Sequence, residues 1–283
     1  MIIQYPIEAG GVVLRVLEAG TGDRSMLMLH GVGARADRWR SNLEGLAAAG
    51  YHVYAIDLPG HGLSEKGAKF DHSVGAYSRV VRAFAREIAD NDLILVGTSL
   101  GGHVSAAVAC EEQDLAKGIV LVGTLGFVPL GQDVRASLAR LVQETSIEGI
   151  RSKLQAVLED QSLITEELVL EEFRINNSPG AKEAFARIAT YFRDHIDDDL
   201  IAADMVAKCA GLPTLLVWGR EDRAVPLSVG LTVRKILPDS TLAILDKTAH
   251  APYYERPEAF QGVVLAFLAD QLGERPVPGI ELI

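Results

Sequence analysis

Short, almost uninterrupted apolar runs recur along the first part of the chain and predict strands buried on both faces. Two of them, Ile2–Ile7 and Val12–Leu17, flank Gly10-Gly11 and read as a hairpin. The next, Met26–Leu29, Val53–Ile56, Leu93–Val96 and Ile119–Val122, alternate with helix-like stretches at Arg38–Ala49, Val74–Ala89 and Gly102–Cys110. Such alternation predicts an α/β fold with a mostly parallel sheet covered by helices on both faces. From Phe127 to Gly211 the strand-like runs stop. Helical periodicity takes over at Val134–Gln143, Ile147–Leu158, Glu166–Phe173 and Ala181–Phe192, punctuated by Pro129, Gly149 and Asn176-Asn177-Ser178-Pro179-Gly180. Alternation resumes at Thr214–Trp218, Leu231–Leu237 and Leu242–Leu245 and closes with a helix over Pro257–Leu272. The pattern divides the chain into an α/β core, residues 1–126 and 212–283, and a helical cap inserted over 127–211. Eight strand-like runs predict an eight-stranded sheet. The tail Gly273–Ile283 has two prolines and no periodicity, and is expected to drape over the surface.

Composition narrows the class. With 283 residues, 48% hydrophobic, the chain is long enough for one α/β domain carrying an insertion. A net charge of −11 and the absence of any Lys/Arg block disfavour nucleic acid as a partner. No apolar run approaches the ~20 residues that span a bilayer, and the first residues lack the charged start and apolar core of a signal peptide. Two cysteines, Cys110 and Cys209, suit a reducing compartment and have no metal-ligand spacing. The expectation is a cytoplasmic protein without metal or cofactor, with a small-molecule acyl substrate and a possible homo-oligomeric state.

The chemistry is carried by Leu95-Val96-Gly97-Thr98-Ser99-Leu100-Gly101-Gly102, a Gly-x-Ser-x-Gly sequence between a predicted strand and a predicted helix. That context suits a strained turn presenting a serine hydroxyl at the end of a sheet, beside unpaired N–H groups of a helix N-terminus. A serine needs a base, and the base needs an orienting group. Of seven histidines, His250 lies after the last apolar strand and before the last helix. Asp222 lies on the preceding strand-end loop, pinned by Pro226, with Glu221 beside it and Asp246 as a second candidate acid.

The order Ser99, Asp222, His250 resembles the α/β-hydrolase superfamily. So do His30-Gly31-Val32-Gly33, Asp57-Leu58-Pro59-Gly60-His61-Gly62-Leu63-Ser64 and Pro257-Glu258-Ala259-Phe260. The resemblance implies a serine hydrolase whose oxyanion hole is formed by the backbone N–H groups of Val32 and Leu100. It implies that His30 fixes the oxyanion loop. His30, Thr98, Arg174 and His195 are the candidates for the substrate pocket. The carbon–carbon hydrolases of aromatic-ring breakdown are similar in size, first-domain motifs and cap. They usually place Asn before the nucleophile, Trp after the histidine and a Gly-Pro-Gly-type oxyanion loop, where this chain has Thr98, Ala251 and Gly33-Ala34-Arg35. The expectation is therefore a serine hydrolase of small carboxylic esters or related acyl compounds, acting through an acyl-enzyme on Ser99. The alternatives are carbon–carbon bond hydrolysis of ring-fission products, a cofactor-free perhydrolase or haloperoxidase, and a non-catalytic ligand receptor on the same scaffold.

Overall fold

Nine strands make one sheet in the computed structural model, which describes residues 1–67, 69–88, 92–273 and 279–283. They are β1 (Ile3–Ala9), β2 (Val12–Ala19), β3 (Arg24–Leu29), β4 (Tyr51–Ile56), β5 (Leu93–Thr98), β6 (Ala116–Val122), β7 (Thr214–Gly219), β8 (Thr241–Leu245) and β9 (Ile280–Leu282). Their order is β1-β2-β4-β3-β5-β6-β7-β8-β9, parallel from β4 to β8 and antiparallel at both edges. The expected parallel sheet is present with one strand more than eight. Ile280, Glu281 and Leu282 pair with Leu245, Ile244 and Ala243, within the tail expected to be irregular. A three-residue edge strand with two exposed residues has no need of apolar alternation, so its sequence carries no strand signal. The end of the second predicted helix at Ala89, and both prolines of the tail, lie outside the described residues.

Helices α1 (Arg40–Ala48), α2 (Val74–Ile88) and α3 (Leu100–Glu111) cover the first half of the sheet. Alternate residues of β5 show how the two faces are filled. Leu93 and Leu95 pack with Phe84 of α2 and Val104 of α3, whereas Ile94 and Val96 belong to the opposite layer with Leu43 and Leu46 of α1. All six β5 residues are buried, which is why the strand reads as a continuous apolar run.

Between β6 and β7 the chain forms α4 (Gln132–Gln143), α5 (Ile147–Val157), α6 (Glu166–Asn176), α7 (Ala181–Asp194) and α8 (Ala202–Lys208). Ser146 caps α5 by accepting from Gly149 N–H at 3.0 Å, and Thr165 caps α6 by accepting from Leu168 N–H at 3.2 Å. The segment has two unequal halves. Phe185, Ile188 and Phe192 of α7, with Ala139 and Val142 of α4, belong to the same hydrophobic cluster as the sheet. Helix α8, too short to show a periodicity, leads to Cys209, whose sulfur lies 3.4 Å from that of Cys110 on α3; both thiols are free. By contrast, α5 and α6 meet over a separate small cluster of Ile150, Leu154 and Val169. The chain closes with α9 (Leu227–Ile236), α10 (Pro252–Glu255) and α11 (Pro257–Leu268). Among the described residues, no helix is long and apolar enough to cross a membrane, and no His/Cys/Asp/Glu group is arranged to hold a metal ion.

Candidate active site

Ser99 sits between β5 and α3 with φ 54° and ψ −118°, a conformation that costs a non-glycine residue energy. Its surroundings hold it there. Ser99 N–H donates to Val122 C=O at 3.0 Å, and Ser99 C=O accepts from His103 N–H at 3.1 Å and Leu125 N–H at 3.2 Å. Two neighbouring glycines make the reversal possible. A Cβ at Gly97 would overlap the carbonyl of Gly101, and one at Gly101 would overlap the carbonyls of Leu29 and His30. Leu100 opens α3, so its N–H belongs to the first turn, where no intrahelical carbonyl is available.

His250 and Asp222 come together from the loops after β8 and β7. His250 Nδ1 and Asp222 Oδ2 are 2.8 Å apart, with the carboxylate side chain 1% exposed and the imidazole 13%. The other carboxylate oxygen, Oδ1, accepts from the N–H groups of Ala224 (2.9 Å) and Val225 (2.8 Å). Each oxygen of Asp222 therefore has a fixed partner, and the imidazole is held in one orientation. Asp246 instead forms an exposed pair with Arg220, and Glu221 accepts from Thr248 N–H. The His250 loop is anchored further by Glu255. Its carboxylate takes the N–H groups of Ala249 (2.7 Å), Glu159 (2.6 Å) and Asp160 (2.9 Å), and burial raises its pKa.

The loop after β3 approaches from the other side. A Cβ at Gly31 would lie 3.1 Å from Ser99 Cβ and 3.7 Å from its Oγ, so the loop passes directly against the serine. His30 holds this loop. Its Nε2 accepts from Leu58 N–H at 2.9 Å, which leaves the Nδ1 proton to bond Gly31 C=O at 2.7 Å. Complete burial pushes its pKa down to about 4, so it is a neutral strut between two strand-end loops. His61 and His103 are likewise fully buried, with pKa values lowered to about 3 and about 4 by burial.

Ser99, Thr98, Val32, Gly31 and His250 line one cavity of about 700 Å³. Three pocket expectations need correction. His30 is fully buried and does not reach the cavity; its ring is spent on the loop. Arg174 is exposed on α6 and His195 is exposed beside Asp198, and neither belongs to the wall. They are polar residues scattered along the cap sequence, and they fall on solvent faces. The charged residues that do line the cavity include Arg38, Lys153 and Glu172. One of these was readable from the sequence. Glu172 falls three residues after Val169 and four before Asn176, on the buried face of α6, where a carboxylate is out of place unless paired. Glu255 carried no such signal.

A family model described as alpha/beta hydrolase fold matches residues 24–257. The chain is 30% identical over 271 residues to the 2-hydroxy-6-oxononadienedioate/2-hydroxy-6-oxononatrienedioate hydrolase of Burkholderia vietnamiensis strain G4; the match covers 91% of this chain and 92% of that one. Among solved structures, the 2-hydroxy-6-oxo-6-phenylhexa-2,4-dienoate hydrolase of Rhodococcus sp. strain RHA1 superposes with a TM-score of 0.86 at 23% identity, over 95% of this chain and 99% of that one. A bacterial membrane phospholipase A superposes with a TM-score of 0.77 at 26% identity, over 96% and 87%.

Proposed function

The chain belongs to the alpha/beta hydrolase fold family, and from that premise we propose that it hydrolyses the carbon–carbon bond beside a ketone in a ring-fission-type dienone, through Ser99. The observation that carries this reading is the match, over nine-tenths of both chains, to a relative named for that class of substrate. In this reading His250 takes the Ser99 proton on Nε2, because Nδ1 is committed to Asp222. The N–H groups of Leu100 and Val32 receive the charge that develops on the attacked carbonyl oxygen. Before attack the dienol is protonated at carbon, which makes the departing fragment a stabilised enolate. His250 returns a proton and water then releases the acyl group from Ser99. Residues 127–211 form the cap that roofs the cavity and selects the substrate.

Ester hydrolysis is the second reading, favoured by one specific observation. Thr98 and Ala251 occupy the positions flanking the nucleophile and the histidine, and neither brings an amide or indole donor to a dienol. An ester needs only the serine, histidine, aspartate and oxyanion donors. The comparison of kcat/KM on a 2-hydroxy-6-oxo-dienoate and on p-nitrophenyl butyrate separates the two. The proposal expects the dienoate to be preferred by at least about tenfold. A higher kcat/KM on the ester establishes the second reading in its place.

A further inference from the structure

Three charged side chains from three elements meet in the cavity wall: Arg38 from the 3-10 turn Ala36–Trp39, Lys153 from α5 and Glu172 from α6. Glu172 is buried, with Oε1 2.8 Å from Arg38 Nη2 and 3.5 Å from Arg35 Nη1. Arg35 has two further carboxylate partners, Asp37 and Glu171. Lys153 has none within hydrogen-bond distance among the described residues. Its ammonium donates to the backbone carbonyl of Glu144, and the carboxylates acting on it from further off are those of Glu172, already bonded to Arg38, and of Glu144. Burial accordingly lowers the pKa of Lys153. Asp133 and Arg223, the other charged residues of the wall, are solvent-exposed, and Arg223 is paired with Glu159.

This part of the wall thus sets two half-buried cations against the one lining carboxylate of Glu172, within a lining that is otherwise largely apolar. Lys153 is half-buried and lacks a carboxylate at bonding distance, and a second carboxylate at this point completes the pairing. Arg38 is also fixed in plane by stacking over Tyr254, 5.1 Å from the ring centre, four residues beyond His250. A guanidinium held in plane and an ammonium with donors left over from its bond to Glu144 C=O, both in the wall of one cavity, suit a carboxylate.

We infer that Lys153 and Arg38 form a recognition site for a carboxylate carried by the substrate, separate from the carbonyl that is attacked. This rests on reading the Ser99 cavity as the substrate site. The substrate class is then an anionic acyl compound with its acid group on the portion facing α5 and α6.

Titration calorimetry at low ionic strength, with glutarate through azelate and the matching uncharged diamides, tests this without turnover. The best dicarboxylate is expected to bind the wild-type protein at least about tenfold more tightly than its diamide. Lys153→Met is expected to abolish that preference and Lys153→Arg to restore most of it, with melting temperatures confirming that both fold. Equal binding of acid and diamide, no dicarboxylate binding at all, or a preference that survives Lys153→Met overturns the site. Labelling of the wild-type protein by a fluorophosphonate reports separately on Ser99, so failure of the serine reading is seen independently.

Discussion

Floor and roof of the cavity are held in place by different means. On the floor, each functional position is fixed through bonds to backbone groups: the Ser99 turn, the loop whose N–H and C=O groups bond the His30 ring, and the two N–H groups that bind Asp222. In the roof, α5 and α6 share a small apolar cluster of their own, and they are tied to the core by Val157 and Leu158 at the end of α5 and by a set of polar contacts. Arg35 and Arg38 hold Glu172, Arg223 holds Glu159, and His250 N–H donates to Val157 C=O at 3.0 Å. The α7 side of the insertion is different again, because Phe185 and Phe192 are continuous with the sheet core. A floor fixed by backbone preserves one geometry for the reaction. A roof held largely by side chains can be altered by substitution without disturbing that geometry, which is what the proposed role of residues 127–211 in selecting substrate requires.

This contrast is broken most sharply at the floor. Asp222→Asn is expected to fold and to lose about 10⁴ in kcat, and to do so on every substrate, because the imidazole loses its tautomer and orientation. Steady-state kinetics on two unrelated substrates checks it; a loss confined to one of them contradicts a role in orienting the base. In the roof, Leu138→Ala and Leu141→Ala remove side chains that line the cavity from α4. They are expected to move the preference between short and long acyl groups by about tenfold, the scale of a few methylenes in an apolar pocket. A uniform loss across the acyl series assigns these residues to the machinery rather than to selection. The smallest effect belongs to Asp246→Asn. Asp246 forms an exposed pair with Arg220 while Asp222 bonds the His250 ring, and kcat is expected to stay within about twofold.

The same contrast explains what could be read from the chain. Backbone-dictated features leave strong local marks: Gly97 and Gly101 around Ser99, apolar runs for strands buried on both faces, and His30-Gly31 after β3. Pairings in the roof leave weak ones. Arg38 and Glu172 are 134 residues apart, and their meeting depends on how α6 lies over the loop after β3. Spacing along α6 puts Glu172 on the same face as the buried Val169 and Asn176, but spacing does not name its partner. Arg174 and His195 were attractive as isolated cations and fall on exposed faces, since charge on a helix says nothing about the direction of the cavity. The edge strand β9 was unreadable because its register is set by the free edge of β8 rather than by its own pattern.

Labelling with a fluorophosphonate, followed by mass spectrometry of the intact protein and its peptides, addresses the central claim most directly. The account predicts a single covalent adduct on Ser99 in the wild-type protein, and loss of both adduct and turnover in Ser99→Ala. An adduct that persists in Ser99→Ala, or undiminished turnover by that variant, contradicts it.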